Sequence, residues 1–213
     1  MNFNNGNNDM QNSSIGYVRV LHAVPDAPNV DIYANDNLIA RDLAFSEYTD
    51  YIPVPEGTYT ISLYVTGTKT SPVLTNMLRV NRNTISTVAA VGTLSTIGFL
   101  AIAEPKMSMD PSKSMIRFIH LSPNAPAVDI TLPDGTILFR NVSYKQLSQY
   151  MAVNPANYTL QVRLAGTSTV VLTVPGISLQ PNKYYTVYAI GLVGEDPELE
   201  ALLLLDENRN NNY

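Results

Sequence analysis

No cysteine occurs in the 213 residues, which excludes disulfides, thiolate metal sites and a cysteine nucleophile in any compartment. Charge is scarce as well. Only 15% of residues are charged and the net charge is −5, with no run of Lys and Arg to neutralise a phosphate backbone, so no nucleic-acid partner is expected. Helical patterning is missing too: no stretch of about twelve residues carries an uninterrupted i, i+3, i+4 apolar stripe with caps. The N-terminal MNFNNGNNDMQNSS has no positive charge and no apolar h-region, so neither a secretory signal nor a transit peptide is expected there. Motifs of catalysis are absent in the same way. There is no Gly-x-Ser-x-Gly elbow, His-Glu-x-x-His helix or phosphate-cradling glycine loop. The oxygen-rich Asp31, Asn35, Asp36 and Asn37 lack the spacing and terminal Glu of a calcium loop. A Ser-His-Asp triad can be drawn only by arbitrary choice among the serines. No catalytic, cofactor-binding or metal-ligating residue is therefore assigned, no cofactor is expected, and the protein is expected not to be an enzyme.

What is present is a folded composition, 45% apolar, and an internal repeat. RVLHAVPDAPNVDI (19–32) aligns without gaps on RFIHLSPNAPAVDI (117–130). After a one-residue insertion the match continues: Tyr51 faces Tyr150, GTYTI (57–61) faces ANYTL (156–160), Gly67-Thr68 faces Gly166-Thr167, and NTISTVAAVG (83–92) faces NKYYTVYAIG (182–191). This divides the chain into an Asn-rich tail (1–16), a first copy (17–103), a linker EPKMSMDPSKS (104–114), a second copy (115–206) and a second Asn-rich tail (207–213). The prolines, serines and alternating charges of the linker suit an exposed connection, short enough to restrict relative motion. The charge-free stretch Asn83 to Ala103 has the length of a membrane helix. Its counterpart carries Glu195, Asp196, Glu198 and Glu200, and Gly92, Thr93, Ser95, Thr96 and Gly98 interrupt its middle. A strand, a turn and a strand fit it better, and no membrane span is expected.

Period-two alternation marks strands at 17–22, 29–34, 58–65, 84–91 and 98–103, with counterparts in the second copy and turn residues between them. The expected fold is all-β: two tandem antiparallel β-sandwiches of about seven strands each, Ig-like or transthyretin-like in kind. The segment from Arg19 to Ile61 resembles a bacterial family known as domain of unknown function 4397. The shared features are an Arg-x-x-His strand, a Pro-Asp-Ala-Pro turn, a Val-Asp-Ile-Tyr strand and a Tyr-x-x-Val-Pro-x-Gly-Thr-Tyr hairpin. The second copy matches more loosely, with Asn124 for Asp, Thr131 for Tyr and NPANYTL (154–160) in the hairpin. The resemblance covers nearly the whole chain outside the tails. It implies secreted or surface β-domains, often in tandem, and no activity.

The only two histidines, His22 and His120, occupy one position of the repeat. Counting by twos places each on the apolar face, where its imidazole is expected to bond the backbone of the following turn, bounded by Pro25 and Pro28 or by Pro123 and Pro126. Arg19 and Arg117 fall on the opposite face, as do Asp31 and Asp129. A cross-strand pair of Arg19 with Asp31, and of Arg117 with Asp129, is the natural expectation.

The tails, Asn-rich at both ends, admit two readings: disorder, or strand addition to a sheet edge of a neighbouring subunit. The second makes the partner another copy, in a homo-oligomer or filament. The sequence thus points to a structural or surface protein that self-assembles through its tails, as in a spore coat, appendage or fibre, made in the mother cell and placed at the spore or cell surface. The alternative is a surface module binding a glycan or a protein ligand, with Tyr33, Tyr48, Tyr51, Tyr64 and Tyr184 as candidate contacts.

Overall fold

The computed structural model describes residues 15–104 and 108–207. Short β-branched and aromatic runs between turn residues form sixteen strands and, among the described residues, no helix. The first copy contributes β1 (Ile15–Ala23), β2 (Val30–Ala34), β3 (Asn37–Leu43), β4 (Ile52–Pro55), β5 (Gly57–Val65), β6 (Leu74–Val80), β7 (Ile85–Val91) and β8 (Gly98–Glu104). The second repeats them as β9 (Ser114–His120), β10 (Val128–Thr131), β11 (Ile137–Val142), β12 (Met151–Val153), β13 (Ala156–Leu164), β14 (Val170–Leu179), β15 (Lys183–Ile190) and β16 (Glu200–Asp206). The linker thus begins and ends on strand residues, Glu104 and Ser114. The tail segments 1–14 and 208–213 lie outside the described residues, and with them the assembly contacts expected of the tails.

Each copy is a sandwich of two four-stranded sheets. The orders are β4-β1-β7-β8 and β3-β2-β5-β6 in the first, β12-β9-β15-β16 and β11-β10-β13-β14 in the second. The all-β sandwich expectation holds, with one amendment. β1 runs parallel to β7, and β9 to β15, so one sheet of each sandwich is mixed. The strands that the alternation missed, β3, β4 and β6, are sheet edges and largely solvated. β4 carries Pro53 and Pro55, and β3 bulges where Val30 pairs with Leu43 but Ile32 with Ala40.

The inner sheets are covered on both faces. Along β1, Val18 and Val20 point into the first sandwich, while Leu21 and Ala23 join Ala89, Val91 and Ile102 against Ile119, Leu121, Tyr188, Ile190 and Leu204 of the second. Every residue from Val18 to Ala23, and all of β9, is buried in consequence. The two sandwiches therefore stack as four sheets. Burial of each large aliphatic side chain contributes about 1.5–3 kcal/mol, so the central layer is a core in its own right. Across it Tyr188 stands where the first copy has Ala89, as the strand registers show.

Candidate functional site

The residues shared by the two copies hold turns and bulges. His22 ends β1 on the core face. The Val24 N–H donates to its Nδ1 (3.3 Å), which leaves the proton on Nε2 to be donated to the Pro28 carbonyl (3.3 Å). His120 Nε2 reaches the Pro126 carbonyl at 3.1 Å. Burial lowers both imidazole pKa values, against the pull of the proline carbonyls. Pro25 and Pro123 follow the strand ends, where their fixed φ starts the turn.

Asp31 does not pair with Arg19, nor Asp129 with Arg117. The Asp31 carboxylate accepts the N–H of Asp42 (2.9 Å) in the β3 bulge and that of Gly67 (3.0 Å) in the following hairpin. Asp129 accepts from Asn141 (2.6 Å) and Gly166 (3.0 Å) in the same way. Asp42 and Asn141 have left-handed backbones, φ 54 and 50. The two backbone donors lower the Asp31 pKa; for Asp129 burial pushes upward and the donors outweigh it. The physical reason for the correction is layering. Asp31 lies on the outer sheet, whereas Arg19 lies on the inner one and faces the other sandwich.

There the two arginines build a buried, pseudo-symmetric network. Arg19 Nε donates to Thr87 (3.0 Å), Nη1 to the Leu205 carbonyl (2.9 Å) and Nη2 to Asp206 (3.0 Å), with Glu104 at 3.5 Å. Arg117 Nε donates to Thr186 (2.7 Å) and Nη1 to the Ala103 carbonyl (3.0 Å), with Nη2 3.8 Å from Asp206. Each arginine thus holds the final strand of the other sandwich, since Ala103 and Leu205 are equivalent in register. The Tyr51 hydroxyl donates to Glu104, that of Tyr150 to Asp206 (2.6 Å), and the Glu207 N–H to Glu104 (3.0 Å). Burial, then the charge of Asp206, raises the Glu104 pKa. Burial also raises the Tyr51 and Tyr150 phenols, and pushes Tyr188 up to about 12.

On one side this network floors an open polar cleft between the sandwiches, about 620 Å³ in volume, within the range of small-ligand sites. Arg19 and Asp206 form its base, and Tyr51, 4.6 Å from the Arg19 guanidinium, half-covers them. Exposed Tyr48, Asp50, Asn182 and Lys183, with Glu207, make the rim. Tyr184 is buried in the wall, edge-on to Tyr150 at 5.4 Å. Two cationic and three anionic side chains line the space, so no single sign of charge prevails. Of the five tyrosines singled out in the sequence, the fold brings Tyr48, Tyr51 and Tyr184 together here. Tyr33 and Tyr64 pair instead on the outer sheet, 5.5 Å apart, with Lys69 over Tyr33.

The equivalent residues on the other side of the pseudo-twofold axis differ in kind. Leu147 stands for Tyr48, Gln149 for Asp50, Thr84 for Lys183 and Ile85 for Tyr184, while Arg117, Tyr150 and Glu104 keep the floor. Sequence reasoning missed Asn182, Lys183, Leu205, Asp206 and Glu207 as site residues. The available signal was the change from Thr84-Ile85 to Lys183-Tyr184 in an otherwise matched strand.

Among the described residues no three His, Cys, Asp or Glu side chains gather as metal ligands, and no helix is long and apolar enough to cross a membrane. A family model described as domain of unknown function (DUF4397) matches residues 16–131 and 132–213. The division falls at the end of β10, past the whole first sandwich. No curated protein matches. Solved structures similar to the chain include the C-terminal domain of AlgF from P. aeruginosa (19% identity, 44% of this chain and 98% of that one, TM-score 0.35). The Bacillus anthracis TIE protein is similar at 11% identity over 87% of this chain and 34% of that one, TM-score 0.26. A CBM26 module of Eubacterium rectale Amy13K, solved with maltoheptaose, shares 8% over 92% and 98%, TM-score 0.28.

Proposed function

The chain belongs to the DUF4397 family as a tandem pair of its domains, and from that premise we propose that it is a non-enzymatic surface module whose interdomain cleft binds a neutral, hydroxyl-rich ligand of the glycan class. The observation that carries this reading is the difference between the two sides of one pseudo-symmetric interface. Both sides keep the arginine network that joins the sandwiches and an exposed amide at the rim, but only one adds the exposed Tyr48 with the charges of Asp50 and Lys183, where the other has Leu147, Gln149 and Thr84. A structural role alone asks the same of both sides; a ligand asks it of one.

The chemistry suits a sugar. Exposed Tyr48 offers an aromatic face to the C–H surface of a ring, and Asp50, Asn182 and Lys183 supply acceptors and donors to hydroxyls. Mixed charge favours a neutral ligand over a polyanion. The non-enzymatic reading is supported by the placement of both histidines away from the cleft and by Asp206, held by Arg19, Tyr150 and Thr186. Self-assembly through the tails concerns residues outside those described, and the cleft supports binding instead.

The test is a glycan array followed by titration calorimetry on the full chain, with Tyr48→Ala and Lys183→Ala as separate variants. Saturable binding lost in both variants at unchanged thermal midpoint is the expected result. An empty array, or a hit indifferent to both substitutions, refutes the proposal.

A further inference from the structure

Comparison of the two sandwich interiors reveals a second site. The second sandwich has one continuous core cluster of thirteen buried residues. In the first the fully buried residues fall into two groups, one around Val20, Ile61 and Leu63 and one around Val18, Val80 and Val88, bridged only by the half-buried Tyr59, Leu78 and Phe99. Between them lies a cavity of about 220 Å³, lined by both groups and by Ala34, Ile39, Val54 and Phe99.

The cause is in the sequence. Strand registers equate Val20 with Phe118 and Val80 with Leu179, and Ala34 with Leu132 one pleat beyond the Ile32–Ile130 match. Beside the cavity, Ala40 takes the place of Phe139. Phe99, where the second copy has Ala201, and Pro53 at the mouth, where it has Ala152, change the other way. The duplicate thus shows what fills this space when the chain fills it itself: two phenyl rings and two leucines. Protein interiors are close-packed, and a void of this size forfeits dispersion contacts along its whole lining. An apolar cavity of about 150 Å³ stays dry and admits benzene, and this one is larger.

The cavity also has a mouth. β3 and β4 are the edges of the two sheets on one side of the sandwich, and between them Asn37, Pro53 and Pro55 of the lining are exposed. Its lining holds no charged side chain, and the Tyr59 hydroxyl is already committed to the Pro55 carbonyl at 2.8 Å. We propose that the first sandwich is a receptor for the hydrocarbon chain of a small single-chain amphiphile, inserted between the sheets with its polar head left at the mouth beside Asn37. The site lies within the first sandwich, apart from the interdomain cleft, and the two ligands bind independently.

The experiment uses the full chain, methyl-labelled for NMR, titrated with n-octanol and, separately, sodium octanoate. Saturable shifts are expected at Val18, Val54, Val80 and Val88, with the valines of the second sandwich, such as Val162 and Val187, unmoved. Val20→Phe and Ala34→Leu, which copy the second sandwich, are expected to weaken binding about tenfold or more while holding or raising the thermal midpoint. Should Val20→Phe fail to fold, Ala34→Leu and the location of the wild-type shifts still decide the matter. Absence of saturable shifts with either probe overturns the proposal, as do shifts shared equally by both sandwiches or undiminished in a folded filled variant. Shifts with octanol alone restrict the head to an uncharged group, and shifts with both place the charged head in solvent; each supports insertion of the chain.

Discussion

Replacing Arg19 by Met separates the pairing read from the sequence from the one found in the fold. The guanidinium is 3% exposed and its partners Glu104 and Asp206 each 1%, so its removal leaves two buried carboxylates with only Arg117 nearby. Breaking a buried pair from one side costs about 3–5 kcal/mol, a large part of the ~5–15 kcal/mol that holds a typical domain folded. The loss has a pH signature of definite sign. Burial and Asp206 already hold the Glu104 carboxyl above its ordinary 4.5, and loss of a neighbouring cation raises it further. A carboxyl raised on folding contributes stability that is fully present below its unfolded value and lost as pH rises through the folded one. The deficit of Arg19→Met relative to wild type is therefore greatest near neutrality and shrinks as pH falls toward 4.5. Urea unfolding followed by far-UV circular dichroism at both conditions measures it. A double-mutant cycle completes the test: Arg19→Met is expected to couple to Asp206→Asn by about 0.5–3 kcal/mol, and to be additive with Asp31→Asn within about 0.5 kcal/mol. A neutral Arg19→Met, or coupling to Asp31 in place of Asp206, refutes the layered assignment.

Three further outcomes are expected. Both histidine rings, held neutral by burial, keep neutral Cε1–H shifts as pH falls past 6.5, and because the unfolded chain protonates first, stability declines from there downward; a normal titration of either ring in the folded protein contradicts its placement. The depressed Asp31 and Asp129 carboxyls contribute stability that is complete above 3.8 and lost as pH falls through their folded values; Asp31→Asn, with its two backbone donors left poorly paired, is expected to cost about 1.5–3 kcal/mol near neutrality and to flatten the acid limb of a stability-versus-pH curve. Gly191→Ala would place a Cβ 2.1 Å from the Glu198 carbonyl at φ 81, whereas a Cβ at Gly67 meets nothing within 4 Å; thermal melts should show the first losing several kcal/mol and the second about 1 kcal/mol.

The duplication was legible because the residues that hold turns repeat in register. His22 and His120, each with its proline turn, and the strand alternation around them depend on local geometry, and local geometry is what a sequence displays. Even the signal for a second buried face was present. β1, β9 and β15 are apolar or small on nearly every residue, as strands covered on both sides must be. Yet Arg19 and Arg117 interrupt that run, and a charge on the face opposite the core reads as solvent-exposed until another layer covers it.

The sequence by itself thus determined two β-sandwiches and the positions that anchor turns, because backbone propensity, pleat and turn chemistry act over a few residues. Tertiary structure alone decided that the sandwiches stack, that Arg19 serves Asp206 instead of Asp31, and that Tyr48, Lys183 and Glu207 share one cleft. These contacts join residues more than a hundred positions apart through a layer boundary that no periodicity announces. The cavity of the first sandwich belongs with them, since Val20 and Ala34 are ordinary core residues until register sets them beside Phe118 and Leu132.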